Sequence, residues 1–463
     1  MTVTDDRTNS ANAGPDIAAG RLDPPTLAEN FADAHPPLTR TQAPIEAARC
    51  YFCYDAPCVE ACPTGIDIPS FIRSIATGNT KGAATTILEA NIMGGMCARV
   101  CPVEELCEEA CVRNTHEDKP VAIGLLQRFA TDTLFERGDR PFTRAEPTGR
   151  RVAVVGGGPA GMACAHGLAR RGHDVVVFEA REKAGGLNEY GIAAYKTPED
   201  FAQRELDFIL SIGGIEVRNG HALGREIDLA ELRRDFDAVF LGLGHNAVRD
   251  LGLEGEAMAG VENAVDYIAG LRQATDKGAL PIGRRVVVIG GGNTAIDIAT
   301  QARRLGAEDV TLVYRRGPEH MSATWKEQEW AQTNGVKIKY WAQPRGLAGW
   351  PASTGGRMAV KEIVFEYTQL DGSGRLAGTG DTFTLLADQV FKAIGQTFVP
   401  GTTLGSADLL EMSGDRIAVN DERMTSISGV YAGGDCVPGT DLTVSAVEDG
   451  KRAAEAIDRA LRA

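Results

Sequence analysis

The chain has 463 residues, 43% apolar and 24% charged, with a formal net charge of −15. That composition is ordinary for a soluble globular protein, and at roughly 150 residues per domain the length suggests about three domains. The acidic balance argues against nucleic acid as a partner, because phosphate binding needs a basic face.

Residues 1–36 are rich in Pro, Ala and Asp and show no period, so they read as a mobile arm. They contain no apolar secretory core, and no run of about 18 apolar residues follows anywhere in the chain. No membrane segment is expected, and the expected location is the cytoplasm. Structural disulfides are rare there, and clustered cysteines point to metal or redox chemistry.

Residues 37–145 read as helical and loop-rich. TQAPIEAARC and SFIRSIATGNTKGAATTILEANI place apolar residues at a spacing of three to four. Eight of the ten cysteines fall here, between Cys50 and Cys111. RCYFCYDAPCVEACP carries Cys50, Cys53, Cys58 and Cys62; GGMCARVCPVEELCEEACVRN carries Cys97, Cys101, Cys107 and Cys111. Structural zinc prefers paired Cys-x2-Cys knuckles or Cys/His sets. Only Cys50 and Cys53 have that spacing, and His116 is the only nearby histidine. Cys-Pro, seen at Cys62-Pro63 and Cys101-Pro102, is typical of iron–sulfur runs. The residues alone suggest eight cysteine ligands, four to each of two 4Fe–4S clusters, with Cys97 included. DRPFTRAEPTGR then reads as a linker.

From Arg150 the pattern changes to strand, Gly-rich turn, helix, strand, in RRVAVVGGGPAGMACAHGLARRGHDVVVFEA, and the same unit recurs about 134 residues later. A G-x-G-x-x-G turn brings backbone amides and a helix N-terminus up to a pyrophosphate. The first copy has Gly156, Gly158, Pro159, Ala160 and Gly161; the second has Gly290, Gly291, Gly292, Asn293, Thr294 and Ala295. Two such turns in full context are strong grounds for two dinucleotide sites. Glu179 ends the second strand of the first unit, where a carboxylate accepts from ribose hydroxyls and repels a 2′-phosphate, so FAD or NAD fits. In the second unit the matching place holds Arg315 and Arg316, which suit the 2′-phosphate of NADPH. A single arginine stacked on adenine would also explain one of them. In the tail, GGDC brings Gly434 and Asp435 to the end of a strand before a helix. The run AIGQ, from Ala393 through Ile394 and Gly395 to Gln396, is expected near the nicotinamide or flavin, although a plain strand end explains it too. No redox Cys-x-x-C stands beside the flavin; Cys164 and Cys436 read as core packing.

A dinucleotide fold, an inserted second one and a returning GD segment resemble the two-dinucleotide-binding flavoprotein oxidoreductases over residues 150–463. With the cysteine module, the chain resembles the small subunit of NADPH-dependent glutamate synthase and, more closely, the N-terminal half of dihydropyrimidine dehydrogenase. The resemblance implies an all-α N-terminal iron–sulfur domain followed by α/β Rossmann-like flavoprotein domains. FAD binding would span 150–260 and 390–463, with an NAD(P)H domain inserted at 261–389. It carries FAD onto Gly156–Gly161, Glu179, Gly186, Leu187, Lys196, Gly434 and Asp435. NADPH or NADH falls to Gly291–Ala295, Arg315, Arg316 and Ala393–Gly395. One 4Fe–4S cluster would take Cys50, Cys53, Cys58 and Cys111. The other would take Cys62, Cys101, Cys107 and Gln127, from the segment IGLLQRFATD, leaving Cys97 spare. Glutamate synthase small subunits tend to carry a carboxylate near Gln127, so this residue favours the pyrimidine branch.

The long-form dehydrogenase continues into an FMN barrel that this sequence lacks. The expected role is therefore the NAD(P)H-oxidising subunit of a bacterial two-subunit enzyme, whose partner holds FMN and iron–sulfur and reduces uracil or thymine. Two departures weaken NADPH: Ser322 stands near the place of a further basic residue, and two-subunit enzymes are usually described as NAD-dependent. Lys196 replaces an arginine near the flavin. The rival readings are a glutamate synthase small subunit or related electron donor, a non-catalytic flavin and iron–sulfur adaptor, and a zinc-bearing scaffold fused to an NADPH oxidase.

Overall fold

The computed structural model describes residues 16–350, 358–399 and 410–463, and the chain folds into two compact units. The larger holds residues 33–189, 196–247 and 397–463; the smaller holds residues up to 32, 190–195 and 248–396.

In the larger unit every regular element from Gln42 to Arg137 is a helix. Local sequence starts them. Asp67 accepts from Ser70 N and Asn79 from Gly82 N, capping Ile68–Ala76 and Thr80–Ala90. The three-to-four spacing of Ile68, Phe71, Ile72 and Ile75 buries one face of the first of these helices. Gly138, at φ 68°, ends the long helix Ile123–Arg137. Such short helices leave long connections, and the cysteines sit in or beside them.

Residues 151–463 of this unit build a five-stranded parallel sheet. Its order is Val430–Ala432, Ala238–Leu241, Arg151–Val155, Asp174–Glu179, Ile215–Asn219. Val155 pairs with both Phe178 and Leu241, so the carboxyl ends of the three inner strands finish level. The runs Val152–Val155 and Val175–Glu179 are buried throughout, as strands covered on both faces must be. Helices Pro159–Arg170 and Thr443–Arg462 pack together closely: a Cβ at Gly450 would run into the Ala160 carbonyl.

The smaller unit has its own five-stranded parallel sheet. The order is Lys337–Lys339, Asp309–Val313, Arg285–Ile289, Gln389–Lys392, Val261–Asn263. A three-stranded antiparallel sheet, Ala342–Trp350, Ala359–Leu370 and Leu376–Leu386, accompanies it.

Two expectations about domain limits need correction. Residues 16–32 are not a free arm: Ile17–Ala18 pairs antiparallel with Ile282–Gly283, and Leu27 and Phe31 are buried beside Ile268, Ile282 and Leu305. Arg21 Nε donates to Ile282 O at 2.8 Å and Asn30 Nδ2 to Arg304 O at 2.9 Å. Residues 1–15 lie outside the described residues. The nucleotide-binding insertion spans 248–396 rather than 261–389, because the strand Gln389–Lys392 completes its sheet. It also recruits residues 190–195, where Ala193 N and Ala194 N donate to the Asp297 and Gln301 side chains.

Candidate functional site

The first Gly-rich turn follows the strand Arg151–Val155 and starts the helix Pro159–Arg170, with Gly158 at the N-cap and Pro159 in the first turn. Gly156 has φ 101°, and a Cβ there would strike the Gly242 carbonyl. One on Gly161 would strike the Gly156 carbonyl, so the third glycine serves close packing. Glu179 is buried, with one carboxylate oxygen accepting from Gly157 N and the other from Arg181 N, both at 2.8 Å. The carboxylate named for the ribose thus stands against the pyrophosphate turn. Gly186 packs on Gly158, and Gly185 N donates to Gly157 O at 2.8 Å. Leu187 is partly exposed and Lys196 buried.

Gly434 N donates to the Asp449 carboxylate at 2.9 Å. Burial raises the Asp435 carboxyl above its usual range, with Asp441 adding to the rise and His245 opposing it. A hydroxyl donor brought to this acid would restore part of the solvation lost to burial. The residues present fit FAD: a glycine turn at a helix N-terminus, a carboxylate against it and a buried acid, all from one sheet.

In the smaller unit Gly290 has φ 151°, and Ala393 N donates to Ile289 O at 2.8 Å, so the AIGQ run lies beside the second turn. The Tyr314 ring fills the space a Cβ on Gly291 would need. Gly292 caps the helix Asn293–Arg304, and Ala295 is fully buried. Arg315 is exposed, its carbonyl fixed by Thr368 Oγ1 at 2.7 Å. Arg316 is half-buried, and its Nε is buried without an acceptor among the described residues. That orphaned donor fits an arriving phosphate. Ser322 Oγ stands beside Gly292.

The cysteines fall into two sets. Cys50, Cys53, Cys58 and Cys111 line one cavity, whose other walls include Ala56, Ile68, Ile72, Val121 and Ile123. Burial, then the neighbouring Cys111 and Cys50, pushes the Cys58 thiol up to about 12. Cys50 is raised by burial and receives the Phe52 N–H at 3.4 Å. Phe52 has φ 52°, a left-handed conformation a bulky residue rarely adopts. The second set is Cys62, Cys97, Cys101 and Cys107. Cys101 is held high by a hydrogen bond with Cys97 and by burial, and Cys107 by burial, Glu108 and Cys62. Buried thiols that raise one another need a cationic centre to become thiolates. Among the described residues no three His, Cys, Asp or Glu side chains converge on one point as ligands of a single metal ion would. The first set lines a shared cavity instead, and four cysteines around one space suit a 4Fe–4S cluster, which is held by four thiolates.

Gln127 is buried on Ile123–Arg137, and its Nε2 donates to Gly94 O at 2.7 Å. That bond fixes the amide rotamer. Cys97 and Gln127, the two candidates for an eighth ligand, therefore meet the same short helix, Gly94–Val100.

Three side chains invisible to motif reading tie the cysteine module to the flavin fold. Glu205, fully buried, accepts from Gly95 N at 2.8 Å and Met96 N at 3.0 Å. Asn188 receives Thr443 Oγ1 at 2.9 Å and donates to Met93 Sδ at 3.7 Å. Lys451 Nζ reaches Thr64 O at 3.2 Å and Ala90 O at 3.3 Å. Each joins segments far apart in sequence, and no local pattern marks them. Cys164 and Cys436 are fully buried. Among the described residues no helix is long and apolar enough to cross a membrane.

A chain built this way is an iron–sulfur oxidoreductase of the FAD- and NAD(P)-binding class. Residues 150–450 match the pyridine nucleotide-disulphide oxidoreductase family, to which the chain belongs, and residues 27–139 match the 4Fe–4S cluster domain II of dihydropyrimidine dehydrogenase. Its relatives include the small chain of NADPH glutamate synthase of Escherichia coli K12, 34% identical over 461 residues and covering 94% of this chain and 96% of that one. The NAD-dependent dihydropyrimidine dehydrogenase subunit PreT of the same organism is 34% identical over 430 residues, covering 93% of this chain and 97% of that one. Among solved structures, Mycobacterium tuberculosis FprA in complex with NADPH matches at a TM-score of 0.55 and 21% identity, over 68% of this chain and 85% of that one, a likeness of fold.

Proposed function

We propose that this chain is the NAD(P)H-oxidising subunit of a dihydropyrimidine dehydrogenase, feeding an FMN-containing partner that reduces uracil or thymine to the 5,6-dihydropyrimidine. The reduction adds two electrons and two protons across the 5,6 double bond. NAD(P)H would supply the two electrons as a hydride whose proton is released at the flavin when the electrons leave singly, so both protons reach the pyrimidine on the partner, one with the hydride of reduced FMN and one from an acid. Bound FAD would take the hydride and release electrons singly, and 4Fe–4S clusters carry one each.

This chain's residues bind and orient. Glu179 would hold the FAD ribose and Asp435 its ribityl or pyrophosphate region, while Arg315 and Arg316 would hold the adenosine phosphate of NADPH. Gly291–Ala295 would receive the nicotinamide dinucleotide pyrophosphate. Cys50, Cys53, Cys58 and Cys111 would ligate one cluster, and Cys62, Cys101, Cys107 and Gln127 the other. The observation that carries the pyrimidine reading is Gln127: its Nε2 is engaged by Gly94 O, which leaves Oε1 to serve as a ligand atom. The comparably similar glutamate synthase chain supports a second reading, electron donation to an amidotransferase.

Anaerobic affinity capture from the native cell extract, followed by NAD(P)H oxidation assays on the captured complex, separates these readings. An FMN and iron–sulfur partner with uracil-dependent turnover is the expected result. A glutamine amidotransferase partner without uracil turnover would establish the second reading. A flavin that neither NADPH nor NADH bleaches would overturn both in favour of a non-catalytic adaptor.

A further inference from the structure

The helix Thr443–Arg462 touches both redox regions of the larger unit. Near its start Asp449 accepts from Gly434 N at 2.9 Å, in the flavin motif. Two residues on, Lys451 leaves the flavin fold and donates to the carbonyls of Thr64 and Ala90 in the cysteine module. Thr64 follows Cys62 closely, and its Oγ1 lies 3.4 Å from Cys62 Sγ. The Lys451 ammonium also pairs with Glu448 at 2.8 Å, and Glu448 is shared with Arg452 at 2.7 Å.

Neither dinucleotide recognition nor cysteine ligation calls for a cation at this point, yet one is held by two backbone carbonyls beside the Cys62 loop. An ammonium anchored there does two things. It fixes the loop that presents Cys62, and its field favours the more negative, reduced state of whatever Cys62 ligates.

We infer that Lys451 is a positioning residue that raises the reduction potential of the cluster bound by the Cys62 set, easing electron entry from the flavin side. The inference rests on the reading that Cys62 ligates one of two clusters. Arg113 offers an internal comparison, because its Nε donates to the carbonyl of Arg49, the residue before Cys50 in the other set.

The test is a redox titration of the holoprotein followed by electron paramagnetic resonance, in wild type, Lys451→Met, Lys451→Arg and Arg113→Met. Lys451→Met is expected to lower the midpoint of one cluster and leave the other at its wild-type value. Lys451→Arg is expected to restore it, and Arg113→Met to lower the other cluster. Because Lys451 also bonds the Thr64 and Ala90 carbonyls, iron content and circular dichroism of each variant confirm that the fold and both clusters survive before the potentials are compared. Two clusters whose potentials Lys451→Met does not move would overturn the inference alone, as would a shift in the same cluster that Arg113→Met moves. A wild-type holoprotein with a single cluster would overturn the two-cluster reading and the inference with it.

Discussion

Burial lifts the Glu205 carboxyl to about 8, against the partial relief of the Met96 and Gly95 amides and the Arg99 charge. The folded group therefore keeps its proton well above the pH at which an unfolded glutamate releases it. Below the ordinary value of 4.5 both states are protonated; between 4.5 and about 8 only the unfolded chain ionises. Stability tied to Glu205 is thus fully present at low pH and is lost as pH rises through 8. Glu205→Gln keeps an acceptor oxygen and cannot ionise. Melting temperatures of the holoproteins should coincide near pH 5 and diverge toward pH 9 in favour of the glutamine, by roughly 2–4 °C per kcal/mol. Parallel curves across that range would refute the assignment. Glu179→Ala removes an acceptor for two amides and, on the proposed reading, for a ribose hydroxyl. FAD should bind about tenfold to a hundredfold more weakly, from the roughly 1.5–3 kcal/mol of a charge-assisted hydrogen bond, as read by the flavin retained after gel filtration. Replacing Arg315 and Arg316 with leucine should cut kcat/KM for NADPH about tenfold or more while sparing NADH; equal losses would show that neither arginine reads the 2′-phosphate. Glu179 was legible in the sequence because the chain itself fixes its place, at the end of a strand one helix after a glycine turn. Glu205, Asn188 and Lys451 were not, because each acts across the cysteine module and flavin fold, a relation only tertiary packing creates.

At the scale of elements, Pro159–Arg170 and Thr443–Arg462 pack with no room for a side chain at Gly450. Gly450→Ala would drive a methyl group into the Ala160 carbonyl, and a packed interior charges about 1–3 kcal/mol for such crowding. Gly270, inside the helix Ala264–Gln273, has open space where its Cβ would be, so Gly270→Ala should stabilise by about 0.8–1 kcal/mol. Thermal unfolding of the two variants should move in opposite directions. The two βαβ units and the capped helices were readable because glycine turns, caps and periodicity are local. The sheet Ala342–Trp350, Ala359–Leu370, Leu376–Leu386 was not anticipated. Its first strand contains Pro344, Gly346 and Gly349, and its pairing shifts register at Pro344/Gly346 and again at Ala348/Gly349, which breaks a two-residue alternation. Residues 16–32 were misread for a related reason. Two buried side chains, Leu27 and Phe31, with backbone pairing to Ile282, hold a segment whose composition is that of a loose arm.

Across the whole molecule, one compact unit joins a flavin-binding sheet to a cysteine-lined module, and a second carries the other dinucleotide turn. That organisation suits the conversion of a hydride into single electrons. The residues alone marked two glycine turns and eight clustered cysteines; the assignment of Cys50, Cys53, Cys58 and Cys111, which line one cavity, to one cluster came from family resemblance. The choice of Gln127 over Cys97 came from family resemblance, and both residues meet the same helix. The most direct test of the central claim is anaerobic mixing of NAD(P)H with this chain and its captured partner, comparing wild type with Cys58→Ala and following flavin bleaching and partner reduction together. The account predicts equal bleaching in both, with electrons reaching the partner only in the wild type. A Cys58→Ala protein that reduces the partner as fast as the wild type would contradict it.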